Sequence, residues 1–171
     1  MNKIAKFEKV SYEQFAYDWK YVFPLATNEE IESIYDSIML PRRSTVGSAG
    51  YDFYLPDDVD VPDGNATLIP TGIRCKIEDG WMLSLFPRSG HGFKYGIHLA
   101  NTVGIVDADY FFADNEGHIM VKLVNDSILK KNVHFLKHTA FCQGIFIPFG
   151  VTVDDDANGV RVGGLGSTDS K

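Results

Sequence analysis

Gly50-Tyr51-Asp52-Phe53-Tyr54-Leu55-Pro56-Asp57-Asp58 sets Tyr51, Phe53 and Leu55 at every second position and then breaks on a proline and two aspartates. A period of two belongs to a strand with one face buried, and Pro-Asp-Asp is turn chemistry. The same period returns in Ile73, Cys75 and Ile77, in Trp81, Leu83 and Leu85, and in Ile119, Val121 and Leu123. Pro62-Asp63-Gly64-Asn65 and Asp79-Gly80 punctuate these runs. Many short strands spaced by turns predict an all-β sandwich, jelly roll or barrel.

Toward the N-terminus the texture changes. Residues 3–10 alternate loosely and read as a first strand. Ser11 with Gln14, and Thr27 with Glu30, then have the spacing of capping boxes. Phe15, Tyr17 and Trp19 follow the first box, and Ile31, Ile34, Tyr35 and Ile38 keep helical spacing after the second. Residues 11–39 are therefore expected to form a two-helix insertion ahead of the β body. At the other end Asp154-Asp155-Asp156 is a charge run, followed by Gly159, Gly163, Gly164 and Gly166 with little to pack. Residues 154–171 read as a mobile Gly-rich arm or lid. No repeat or long linker divides the chain, so residues 1–171 are expected to form one domain.

The chain carries 44% hydrophobic and 23% charged residues, ordinary for a soluble globular domain. A formal net charge of −7 argues against a nucleic-acid-binding surface, which is usually basic. It leaves room for a nucleotide, whose charge a few arginines and a divalent cation can neutralise locally. No apolar run reaches the roughly 20 residues that span a bilayer. Met1-Asn2-Lys3-Ile4 lacks an apolar signal core, and Cys75 and Cys142 have no Cys-x-x-Cys or metal-ligand spacing. A reduced, cytoplasmic protein with buried thiols is expected, without a membrane partner.

Five segments could carry chemistry together. Gly104-Ile105-Val106-Asp107-Ala108-Asp109-Tyr110 is an apolar run ending in a carboxylate. Such an aspartate can be a turn residue, or a general base that orients and deprotonates water. On a strand, Asp109 would point the same way as Asp107, and only one need be catalytic. Tyr110 can be a half-buried strand aromatic, or a flat wall packed against C2′ of a sugar that excludes a hydroxyl. Pro87-Arg88-Ser89-Gly90 is a turn, with Gly90 expected at positive φ, or a phosphate site using Arg88, Ser89 and local N–H groups. Gln143, in Ala140-Phe141-Cys142-Gln143-Gly144, can bond backbone or donate to a phosphate. Arg161 to Thr168 lacks the Gly-Lys-Ser/Thr ending of a P-loop. It is a loose tail, or a glycine-hinged flap bringing Arg161, Ser167 and Thr168 to outer phosphates. Gly47-Ser48-Ala49-Gly50-Tyr51-Asp52 adds small residues and a carboxylate. His91, His98, His118, His134 and His138 have no metal-ligand spacing and read as surface or turn histidines.

With these segments in this order, the chain resembles the trimeric dUTPase family from Pro41 to Thr168. The insertion and Asp114-Asn115-Glu116-Gly117-His118 look most like versions from Gram-positive bacteria and their phages, which implies the cytoplasm of a bacterial or phage-infected cell. The resemblance implies a jelly-roll-like β fold, a homotrimer with three interface sites, and hydrolysis of dUTP to dUMP and pyrophosphate with Mg²⁺. It implies that Asp107 activates the attacking water and that Tyr110 discriminates the sugar. Asn101 with Gly104, Ile105 and Val106 match one strand of the uracil-reading hairpin, and Gly117 to Met120 its returning strand. Arg88, Ser89 and Gly90 match the phosphate turn, Gln143 a further phosphate contact, and Asp52 an aspartate meeting Mg²⁺ through water. Arg161, Leu165, Gly166 and Ser167 match the closing arm.

Three positions depart from the family pattern. Leu165 replaces the aromatic that stacks on uracil and loses the π-face contact. Phe111-Phe112-Ala113 stands where Arg-Gly is usual, which lengthens the hairpin. Arg161 sits one residue closer to the Gly-Gly pair. Two rivals remain on the page: a dCTP deaminase of the same fold, and a dUTP-binding trimer that docks a regulatory protein through residues 11–39 or the long hairpin.

Overall fold

The computed structural model describes residues 2–127, 129–159, 161 and 163. Its elements, numbered in chain order, are β1 (Ala5–Lys9), α1 (Tyr12–Val22), α2 (Asn28–Ser37), β2 (Tyr51–Tyr54), β3 (Val59–Val61), β4 (Ala66–Pro70), β5 (Ile73–Ile77), β6 (Trp81–Pro87), α3 (Ser89–Tyr95), β7 (Ile97–Leu99), β8 (Gly104–Val106), a 3₁₀ turn (Ala108–Phe112), β9 (Met120–Asn125), β10 (Val133–Phe135) and β11 (Ala140–Pro148). Every strand pairing is antiparallel. The strands form a four-stranded sheet β2-β11-β6-β8, a three-stranded sheet β4-β9-β7, and the pairs β1-β5 and β10-β3. This is the expected jelly-roll-like β architecture with two helices inserted near the N-terminus.

The alternating runs face inward as their period requires. Phe53, Leu55, Ile69, Ile73, Leu83, Leu99, Leu123 and Phe141 are buried in one continuous core. Cys75 in β5 and Cys142 in β11 are buried free thiols. Burial pushes the Cys75 thiol up to about 12 and the Cys142 thiol higher still. The helices join the same core through Phe15 and Trp19 of α1 and Ile31 and Ile34 of α2, each pair on one helical face. They reach the β body where the chain turns from β4 to β5. There Gly72 has φ +72°, and a Cβ would collide with Ile38, so the turn admits only glycine without a shift.

The two helix starts differ. Thr27 and Glu30 form the full reciprocal box, at 3.2 Å from the Glu30 N–H to the Thr27 hydroxyl and 2.8 Å from the Thr27 N–H to the Glu30 carboxylate. At α1 only half the expected box is local. The Ser11 hydroxyl accepts from the Gln14 N–H at 3.1 Å, but the Ser11 N–H donates to Glu116 Oε2 at 2.8 Å. The Ser11 hydroxyl also donates to Glu116 Oε1 at 2.6 Å. Glu116 lies in the long connection between β8 and β9, so a distant carboxylate does the work expected of Gln14. Freed from that task, the Gln14 side chain donates to Asp18 at 2.7 Å.

Two other expectations are corrected. Gly90 is helical within α3, and the left-handed residue is Gly96, φ +68°, which closes that helix. His118 closes a turn as expected but is fully buried rather than on the surface. Of residues 154–171, the described ones form no helix or strand, and the remainder of the expected lid lies outside the described residues.

Burial pushes the Glu116 carboxyl up, but the hydrogen bonds from Ser11 outweigh it and hold the group below the usual glutamate range. A carboxylate depressed in the folded state stabilises above its unfolded pKa, and that contribution disappears as pH falls through the folded value. Thermal melts of Glu116→Gln should therefore lie below wild type at neutral pH and converge with it as the medium is acidified below the usual glutamate range. Ser11→Ala should cost about 1 kcal/mol in denaturant unfolding at neutral pH.

Candidate active site

β8 is the last strand of its sheet, bonded to β6 on one side, and no strand pairs with its other edge among the described residues. Backbone N–H and C=O groups on such an edge are available to a ligand. The edge faces a cavity of about 150 Å³. An apolar cavity of about 150 Å³ is known to accept one six-membered ring. Asn101, Gly104, Ile105, Val106, Asp107, Tyr110, Met120 and Arg161 all line it, so the structure brings these expected site residues together. Leu85, Leu99, Ile119 and Val121 complete the wall. Ile119 falls within the expected returning strand, whereas Leu85, Leu99 and Val121 read only as core in the sequence, where nothing distinguished them from other apolar residues.

The expected hairpin has a different build. β8 pairs with β6, and β9, which begins at Met120, pairs with β4 and β7. The two walls are joined by the 3₁₀ turn and a second turn at Asn115–His118 rather than by a ladder. Tyr110 sits at the hinge. It is buried, its hydroxyl donates to the His118 carbonyl at 2.8 Å, and Asn115 Nδ2 donates to that hydroxyl at 2.9 Å. Burial raises its phenol pKa. Gly117, φ +71°, passes so close that a Cβ would lie 2.6 Å from the Tyr110 carbonyl oxygen.

Asp107 precedes the 3₁₀ turn, so Asp107 and Asp109 do not alternate on a strand as expected. The turn nevertheless aims both carboxylates at one guanidinium. Arg161 donates from Nη2 to Asp107 at 2.6 Å and from Nε to Asp109 at 2.9 Å, and lies 5.7 Å from the centre of the Tyr110 ring. Arg161 thus caps the mouth of the cavity with a charge suited to phosphate oxygens.

The remaining expected residues lie elsewhere. Asp52 of β2 faces Gln143 of β11 across the ladder, and Arg88 Nε approaches Asp52 Oδ1 at 3.6 Å. The Ser44 hydroxyl donates to the other Asp52 oxygen at 2.8 Å, a partner with no sequence signal. Gln143 takes its backbone option, donating to the Pro87 carbonyl at 3.3 Å. Ser89 and Gly90 open α3, where the first N–H groups have no intrahelical partner. Leu83 pairs with Val106, which brings Met82 opposite Asp107, while Arg88, just past the end of β6, is six residues further along the chain. At about 3.3 Å per residue, the two backbone positions are separated by roughly 20 Å. A triphosphate, with three phosphorus atoms joined by two oxygens, does not reach that far. Leu165, Gly166 and Ser167 lie outside the described residues.

A ring-sized cavity with a free strand edge, a carboxylate and an arginine at its mouth, and a separate Arg88-Ser89-Gly90 helix start are features suited to a nucleotide on a β scaffold. Comparison with known proteins gives the family. The family model described as dUTPase matches residues 36–168. The deoxyuridine 5′-triphosphate nucleotidohydrolase of Lactococcus lactis subsp. lactis (strain IL1403) is 38% identical over 135 residues, covering 77% of this chain and 88% of that protein. That of Escherichia coli O45:K1 (strain S88 / ExPEC) is 36% identical, covering 74% and 85%. The crystal structure of dUTPase from Streptococcus mutans superposes with a TM-score of 0.65 at 31% identity, over 85% of this chain and 97% of that one. A mutant dUTPase from phage phi11 of S. aureus shares the fold at a TM-score of 0.63 and 15% identity, over 92% and 98%. The chain belongs to the dUTPase family. These matches favour neither the deaminase reading nor the docking-only reading.

Gly117→Ala should destabilise the protein by about 1–3 kcal/mol, the cost of a strained left-handed residue, and chemical denaturation measures it.

Proposed function

We propose that the chain hydrolyses dUTP to dUMP and pyrophosphate in a site shared between copies of itself, with Asp107 as the general base. The observation that carries this reading is Asp107 at the mouth of a ring-sized cavity walled by a free strand edge. Relatives covering most of their length are named for this reaction.

Uracil enters between β8 and the Ile119–Val121 wall. Backbone groups of Gly104 to Val106 and the Asn101 amide meet its O2, N3–H and O4, and the close walls exclude a 5-methyl group. Tyr110 lies against C2′ and leaves no space for a ribose hydroxyl. Asp107 orients a water and takes its proton as the water oxygen bonds to the α-phosphorus. The bond from that phosphorus to the bridging oxygen breaks, and pyrophosphate departs. Arg161 holds one Asp107 oxygen, Oδ2, and the other oxygen is the one that takes the proton.

Among the described residues no three His, Cys, Asp or Glu side chains converge as a protein cage for a metal. Mg²⁺ binds triphosphate oxygens, keeps several waters and needs few protein ligands. Asp52 would meet it through water, and the ion would supply charge neutralisation on the leaving group. The phage phi11 structure is described as holding a structural Mg(II) ion.

The roughly 20 Å between Asp107 and Arg88 supports an assembly. The base pocket of one copy must meet Arg88, Ser89, Gly90, Gln143 and Asp52 of another. Head-to-tail contacts that close generate a ring, and three copies is the number the family resemblance implies.

Pyrophosphate release measured with dUTP, UTP, dTTP and dCTP in the presence of Mg²⁺ should show dUTP turned over alone or far ahead; comparable dCTP turnover with ammonia release would sink the reading. Asp107→Asn should lower kcat by about 10²–10⁴ while nucleotide binding persists. Asp107→Asn and Arg88→Ala should each be inactive, yet regain activity when refolded together, because a mixed assembly contains intact sites. No recovery would mean that each site belongs to one chain.

A further inference from the structure

We propose that Asp18, on the helical insertion, is a positioning residue for nucleotide selection, acting through the His118 ring on the Tyr110 wall of the cavity. The inference rests on Tyr110 being the wall that excludes ribose.

The path is continuous. His118 Nδ1 lies 2.6 Å from Asp18 Oδ2, and the Gly72 N–H donates to Nε2 at 2.8 Å. A backbone N–H needs a lone pair, so Nε2 is unprotonated and Nδ1 carries the hydrogen given to Asp18. Both ring nitrogens are therefore committed. His118 is fully buried, so turning the ring would orphan polar groups away from water. The carbonyl of this fixed residue receives the Tyr110 hydroxyl, and the next residues, Ile119 and Met120, line the cavity. Displacement of His118 moves both walls.

Asp18 is itself held. Gln14, four residues earlier on α1, donates to the same carboxylate oxygen at 2.7 Å. Burial alone would raise the Asp18 carboxyl, but the bonds from His118 and Gln14 outweigh it and keep the group below the usual aspartate range. A second tether runs beside the first. Glu116 grips Ser11 and approaches Arg74 at 3.9 Å, and the Arg74 guanidinium lies 4.4 Å from the centre of the Phe111 ring. Phe15, Trp19, Ile31 and Ile34 already bury the insertion, and a buried polar pair is weak evidence for net stabilisation.

The test measures kcat/KM for dUTP and UTP in wild type, Asp18→Ala, Asp18→Asn, Tyr110→Phe and the Asp18→Ala/Tyr110→Phe double variant. Asp18→Ala should lower the dUTP-over-UTP ratio about tenfold, the scale of coupling within one hydrogen-bond network. Asp18→Asn keeps an acceptor oxygen and should restore most of it. Tyr110→Phe should lose a similar factor, and the double variant no more than the worse single one. An Asp18→Ala enzyme with reduced melting temperature but unchanged ratio overturns the proposal, as do losses that multiply in the double variant. Should Asp18→Ala fail to fold, Asp18→Ser, whose hydroxyl is too short to reach Nδ1, makes the same comparison. A wild-type enzyme that turns over UTP as readily as dUTP would instead remove the reading of Tyr110, and the proposal with it.

Discussion

The pairing of β6 with two neighbours governs where chemistry can occur. β6 is bonded to β11 along its whole length and to β8 along three residues. The first ladder ties Gln143 and, through β11 and β2, Asp52 to the Arg88 end. The second places Asp107 opposite Met82, toward the other end of β6. Because a strand is stiff and fixed in rise, these groups cannot drift together within one chain. The same register leaves the outer edge of β8 unpaired, which would be a liability on an ordinary surface. In the proposed reaction it is the edge that offers polar backbone groups to a planar base.

The insertion belongs to this design rather than decorating it. Its apolar face packs into the common core, but its polar contacts are directed at the connection between β8 and β9. That connection includes Glu116, the carboxylate that caps α1. Two segments far apart along the chain are thus one structural feature: the helices and the loop hold each other.

Most of the β body was legible because a half-buried strand imposes a period of two, and Tyr51, Phe53 and Leu55 or Trp81, Leu83 and Leu85 display it. The helices were legible for a similar reason: capping residues followed by apolar residues at helical spacing. Gly104 to Tyr110 stood out as an apolar run ending in a carboxylate, and Asn101 and Met120 were grouped with it only through the family resemblance. What escaped was set by partners distant in the chain. Nothing near His118 signals Asp18 a hundred residues earlier, so its burial could not be read. Gln14 looked like the reciprocal half of a capping box, but Glu116 competes for the Ser11 N–H with a full charge. Gly90 looked like a turn glycine because Arg-Ser-Gly has turn composition, whereas the helix it enters continues to Gly96.

The two thiols carry a last implication. Cys75 and Cys142 lie inside different sheets, and burial keeps both protonated far above neutral pH. Only a thiolate attacks alkylating reagents readily, so modification has to wait until a strand parts from its neighbours. Labelling of each sulfur therefore times the opening of its own sheet, giving two internal clocks for breathing motions.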